Sequence, residues 1–229
     1  MNWEVIIKWL PKLAQGATLT LELVAIAVIA GLLLAIPLGI ARSSRLWWVR
    51  AFPYGYIFFF RGTPLLVQLF LVYYGLAQFD AIRNSSMWPY LRDPFWCATA
   101  TMTLHTAAYI AEILRGAIQA IPPGEIEAAR ALGMSRPKAL LYIILPRAAR
   151  IGLPAYSNEV ILMLHSTTVA FTATVPDILK VARDANSATF LTFQSFGIAA
   201  LIYLTVTFTL VGLFRLAERR WLAFLGPAH

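Results

Sequence analysis

A chain of 229 residues that is 59% hydrophobic and 13% charged, with a mean hydropathy of +0.69, has too few polar side chains to cover a water-soluble globule. A bilayer must supply most of its solvent. The formal net charge of +8 does not point to nucleic acid, because Lys and Arg occupy alternate loops between apolar segments and form no single basic face with interleaved aromatics. An all-α integral membrane protein of about five transmembrane helices is expected, as one domain over residues 1–229.

The first apolar segment, about 17–41, would span roughly 35 Å as a helix, enough to cross the hydrocarbon core. It is longer than a signal-peptide core and is followed by arginines, so a retained anchor is expected. The second, about 52–79, contains Arg61-Gly62-Thr63-Pro64, where the proline lacks a backbone donor and disfavours helix at Thr63, so a kink is expected there. The third segment covers about 94–120. A polar stretch over 121–147 then reads as two short helices. Pro122 and Pro123 stop the preceding span, and 125–132 is helical with acidic residues in its first turn. Gly133 supplies a left-handed position, Ser135 caps a second helix, and Pro146 ends it. The fourth and fifth segments cover about 148–174 and 192–216. No internal repeat or low-complexity linker is apparent.

Basic residues are retained on the cytoplasmic side of a membrane. Arg42, Arg45, Arg50, Arg130, Arg136, Lys138, Arg147, Arg150, Arg215, Arg219 and Arg220 outnumber those of the alternate loops, Lys8, Lys12, Arg83, Arg92, Lys180 and Arg183. The N-terminus is therefore expected outside and the C-terminus inside. The single cysteine, Cys97, allows no disulfide within the chain and no multi-thiolate metal site.

Glu127-Ala128-Ala129, three residues, Gly133, nine residues and then Ile143-Ile144-Leu145-Pro146 resembles the EAA loop of bacterial ABC-importer permeases, spacing included. The resemblance implies the type I permease fold, with the loop as a cytoplasmic coupling helix-turn-helix seated in a groove of an ATP-hydrolysing subunit. It assigns Glu127, Ala128, Ala129, Gly133, Leu145 and Pro146 to that contact. The chain has no GxxxxGK[ST] phosphate loop, so ATP and Mg would be bound by the partner and no cofactor is expected here. Residues 60–68 (FRGTPLLVQ) and 108–116 (AYIAEILRG) are similar to the polar amino acid permeases of the histidine/glutamine type. The run 153–166 with 171–177 resembles most closely the M subunits of the permeases for histidine and lysine/arginine/ornithine. The resemblance implies a bacterial inner-membrane transporter subunit for basic amino acids, with another polar amino acid or an opine as the alternative cargo. It also implies an ATP-binding-cassette ATPase dimer, a second homologous permease or second copy of the chain, and a periplasmic amino-acid-binding protein as partners.

Ionisable groups inside the hydrocarbon are costly and so are functional candidates. Arg61 stands beside the Pro64 break, where it would take a substrate carboxylate or tie the broken helix to a neighbouring acid. Glu159 falls near the midplane and needs a cation, supplied by substrate or by Arg61. His165 lies six residues on, about 240° around the helix, and suits packing better than a shared site. His105, Tyr109 and Glu112 share a helix face and would line a polar path, although Glu112 can also pair with Arg115. No metal-ligand spacing and no catalytic grouping is present, so an enzyme with His105, Glu112 and Glu159 as acid/base groups is disfavoured. An ATP-independent channel or carrier would leave the 121–147 loop without a purpose.

Overall fold

The computed structural model describes residues 3–221, and their secondary structure is helical throughout. The long helices are α1 (Trp3–Arg42), α2 (Trp47–Gly62), α6 (Pro94–Gln119), α9 (Leu145–Ser166) and α11 (Thr192–Trp221). Shorter ones connect them: α3 (Leu65–Phe70), α4 (Asp80–Arg83), α5 (Trp88–Leu91), α7 (Pro123–Ala131), α8 (Arg136–Ala139) and α10 (Ile178–Thr189). α1, α6 and α11 run toward the end of the bundle that carries α7 and α8, and α9 runs back from it.

Two helices, Ile7–Arg42 and Thr192–Trp221, are each long and apolar enough to cross a bilayer alone. Trp47–Gly62 and Leu65–Gln78 pass together, as a pair bent by 103° at Thr63-Pro64. The expected kink is therefore a sharp break. α6 and α9, at 26 and 22 residues, are long enough but fall short of the same apolar standard, which corrects the expectation that each span is predominantly apolar. The reason is placement: their polar residues face one another and α3 instead of lipid. α1 also begins well before residue 17, because helix geometry continues through Lys8, Pro11 and Lys12 where the hydropathy signal has ended.

The core forms where α1 lies along α6. Ala27, Gly31, Ala35 and Gly39 recur at helical spacing and make a small-residue stripe that permits close approach of two backbones. A Cβ on Gly31 would stand 2.5 Å from the Thr106 methyl, and one on Gly39 would stand 2.9 Å from the Ala111 carbonyl oxygen. Around the stripe, Leu23, Val24, Leu69, Met102, Val160, Met163 and Leu164 form the main buried cluster. Gly31→Ala is expected to destabilise the protein by about 1–2 kcal/mol, because overpacking outweighs the better helix propensity of alanine. The displaced Thr106 would also strain its bond to Glu159 Oε1, and the thermal midpoint measured in nanodiscs checks the loss.

At the end away from α7 and α8, α9 passes into a 3-10 segment (Thr167–Ala173) and Thr174 turns the chain with φ 66°. Asp177 then caps α10, its Oδ1 accepting from the Lys180 backbone N–H at 2.8 Å. Asp177 is fully buried, and its Oδ2 has no hydrogen-bond partner. Burial therefore pushes its carboxyl up from 3.8 to about 6. A raised folded pKa means that the stability contribution is complete below about pH 4 and is lost as pH rises through 6. Asparagine caps equally well and cannot ionise. Asp177→Asn is therefore expected to stabilise the protein on the order of 2 kcal/mol at pH 8 and hardly at all at pH 4. Thermal unfolding at the two pH values checks the difference.

Candidate functional site

The break after Gly62 leaves unpaired carbonyls, and one side chain repairs it. Pro64 has no N–H, so the Phe60 carbonyl four residues earlier loses its helical donor. The buried Gln68 amide Nε2 takes that place, donating to Phe60 O at 2.9 Å, Thr63 O at 3.0 Å and Thr63 Oγ1 at 2.7 Å. Thr63 Oγ1 in turn donates to Phe59 O at 2.8 Å. Because the Gln68 nitrogen is committed to donation, its Oε1 is the acceptor for His105 Nδ1–H at 3.0 Å. The broken segment is thereby fastened to α6.

From His105 the polar belt continues along α6. The His105 and Tyr109 rings lie 5.0 Å apart, and the Arg61 guanidinium sits 5.1 Å from the Tyr109 ring centre. One turn of α6, from His105 to Tyr109, thus positions an arginine on α2. Glu159 of α9 is buried, at 6% exposure, and its Oε1 accepts from Thr106 Oγ1 at 2.8 Å. Among the described residues Arg61 and Glu159 form no direct ion pair, although Arg61 is near enough to act on the carboxylate through space. A neutral hydroxyl fixes the direction of Glu159 without cancelling its charge, which leaves the site suited to a cationic visitor.

Of the other candidates, Glu112 pairs with Arg115, whose Nε lies 2.7 Å from Oε1, as the i, i+3 spacing suggested. His165 stands apart from Glu159, its Nε2 3.2 Å from Thr207 Oγ1 on α11. His165 is exposed, not packed in the core. Three contributors were missed in the sequence. Gln68 was detectable, as an amide four residues after a proline that orphans a carbonyl. Thr106 was not, since it meets Glu159 across 53 residues of separation, and Arg42 reaches its pocket only through the fold.

At the other functional end, α7 closes with a Schellman motif. The Gly133 N–H donates to Arg130 O at 2.9 Å and the Met134 N–H to Ala129 O at 3.1 Å, with Gly133 at φ 75°. Glu127, Ala128 and Gly133 are exposed, and Leu132 at the tip is 83% exposed. Ala129 is instead buried and packs inward, because it faces the body of the protein on the opposite side of the short helix. Leu145 is half-buried and also faces the bundle. Two details differ from expectation. Ser135 forms no side-chain cap, and Pro146 does not end the second helix. The chain passes from α8 through a π turn (Leu140–Ile144) directly into α9, and that widened turn stands immediately before Pro146, where it accommodates the proline's missing N–H within a continuous helix. Arg147 bridges to Glu125 at 3.2 Å, joining α7 to the base of α9.

A bent helix pair, a buried carboxylate between helices and an exposed glycine-closed turn on a helical bundle are features of a solute pathway with a docking loop. The chain belongs to the binding-protein-dependent transport system inner membrane components, whose family model matches residues 20–222. It is 50% identical over 208 residues to the histidine/lysine/arginine/ornithine transport system permease protein HisM of Salmonella typhimurium, covering 90% of this chain and 88% of that one. It is 48% identical over 206 residues to the octopine transport system permease protein OccM of Rhizobium radiobacter, covering 90% and 84%. A crystal structure of an amino acid ABC transporter with histidines superposes with a TM-score of 0.84 at 34% identity, covering 96% of this chain and 99% of that one. An inward-facing MetNI methionine ABC transporter shares the fold, with a TM-score of 0.79 at 16% identity and coverage of 93% and 97%. The protein is a permease subunit with the type I ABC-importer fold and not an enzyme.

Proposed function

We propose that this chain lines the translocation pathway of an ATP-driven importer for basic amino acids, namely histidine, lysine, arginine and ornithine. The observation that carries this reading is Glu159, a buried carboxylate held by Thr106 and, among the described residues, in ion-pair contact with no cation. Cationic cargo offers such a group the charge it lacks, and HisM, half identical to this chain, is named for cargo of that kind. Arg61, presented on the Tyr109 ring with its N–H edge available, is the complementary receptor for the α-carboxylate. Octopine, the cargo named for the OccM relative, pairs a guanidinium with carboxylates and is the second candidate. Glu112 and His165 flank the path without holding the cargo at Glu159.

In this reading the α7–α8 end faces the cytoplasm and the N-terminus the periplasm, in keeping with the distribution of Lys and Arg. A periplasmic binding protein delivers the amino acid. An ATPase dimer binding ATP and Mg grips Glu127, Ala128, Leu132 and Gly133. A second permease, homologous or identical, completes the pathway across a two-fold axis. Closure of the ATPase pair moves the turn, and the Glu125–Arg147 bridge passes that movement to α9 and Glu159.

The test is ATPase activity of the assembled transporter in proteoliposomes with binding protein and histidine, arginine, lysine, octopine or glutamine. Stimulation by the basic amino acids supports the assignment. Stimulation by octopine alone transfers it to opines, stimulation by glutamine alone overturns the cargo, and failure to recruit any ATPase overturns the importer.

A further inference from the structure

We propose that a second amino-acid subsite lies toward the coupling-loop end, in the pocket between α1, α2 and α6, and takes the cargo's α-carboxylate on Arg42 as it leaves for the cytoplasm. The inference rests on the importer reading above. The pocket encloses about 300 Å³, at the lower end of small-molecule sites, and is lined by Arg42, Tyr54, Arg61, Gly62 and Glu112 among others.

Three observations give it a ligand chemistry. First, both guanidiniums rest on aromatic faces, Arg42 at 4.9 Å from the Tyr54 ring centre and Arg61 at 5.1 Å from that of Tyr109. Neither forms an ion pair among the described residues. Stacking braces a guanidinium while leaving its in-plane N–H fork for a planar anion such as a carboxylate. Second, Arg42 Nε is buried without a hydrogen-bond partner, a state that a bound anion would relieve. Third, Glu112 spends Oε1 on Arg115 and leaves Oε2 buried and unpartnered beside the same pocket. An amino-acid head group supplies both complements, its carboxylate for the arginines and its ammonium for Glu112 Oε2. With two guanidiniums against one half-committed carboxylate, the carboxylate of the cargo is the stronger anchor.

Arg61 belongs to both subsites. It faces the Tyr109 and His105 belt on one side and the pocket on the other, so a carboxylate released near Glu159 has Arg42 as its next partner. Such a subsite makes import sensitive to product on the cytoplasmic side.

The experiment uses the assembled transporter in proteoliposomes with its ATPase face outward, so that arginine can be added directly to that face while uptake from the lumen is followed. Wild type should slow as arginine accumulates at that face. Arg42→Gln should require at least a tenfold higher concentration for the same slowing, and Arg42→Lys should lie between. Tyr54→Leu, which removes the ring beneath Arg42 and keeps the charge, should shift in the same direction by less, and it provides the readout if Arg42→Gln fails to assemble. Equal slowing of wild type, Arg42→Gln and Tyr54→Leu overturns the subsite, as does a wild type indifferent to arginine at that face. Acetate or phosphate acting as strongly as arginine would reduce the pocket to a plain anion site and overturn it too. If wild type carries no basic amino acid at all, it is the importer reading that fails, whatever Arg42 does.

Discussion

Replacing Glu159 by glutamine is expected to reduce basic amino acid transport at least a hundredfold in kcat/KM while the permease still folds and inserts. Glutamine has nearly the same shape, and its side-chain oxygen can still accept from Thr106 Oγ1, now 2.8 Å from Glu159. What disappears is the negative charge at a place where water cannot screen it. A desolvated charge pair there is worth several kcal/mol to cargo recognition, against about 1.4 kcal/mol for each tenfold. A neutral amino acid should lose far less. Uptake of arginine and glutamine by the variant, with thermal stability measured in parallel, separates the two possibilities: equal loss for both cargos would make Glu159 a structural group.

Gly133→Val is expected to abolish cargo-stimulated ATP hydrolysis by the assembled transporter. The glycine occupies φ 75°, and nothing lies within 4 Å of where a Cβ would project, so the cost of substitution is backbone strain and not collision. A β-branched residue in the left-handed region costs on the order of 1–3 kcal/mol, enough to open the Schellman closure and swing Leu132 away from its exposed position. Asparagine tolerates the same conformation. Gly133→Asn should therefore retain most of the activity. Pull-down of the ATPase together with its stimulated rate tests this, and a valine variant that couples normally would show the turn geometry to be dispensable.

Much of this architecture was legible from local chemistry. Pro64 announced the break, the 121–147 loop carried its glycine at the position that needs a positive φ, and Glu112 and Arg115 stood at pairing distance along one helix. The unreadable part is of two kinds. Contacts between helices, such as Thr106 with Glu159 or Arg42 with the α2–α6 pocket, have no sequence period because they depend on how helices are laid together. Continuation of helix through polar or proline-bearing stretches was also hidden. Pro146 reads as a stop because a mid-helix proline loses a bond, yet the π turn just before it takes up the disruption and the helix continues. α6 and α9 read as simple apolar spans, but lying against other helices lets them carry His105, Thr106 and Glu159 away from lipid.

The π turn at Leu140–Ile144 holds one more residue than an α-helical turn would. Slack of that kind can migrate or be drawn out. Tightening it to α geometry would screw α9 forward by one residue, about 1.5 Å along the axis and about 100° around it. Glu159 would then turn off Thr106 and toward a different wall of the bundle. A pull of ångström size at the α7–α8 turn can in this way become a change in which wall of the bundle a carboxylate addresses, with the helix acting as a threaded shaft.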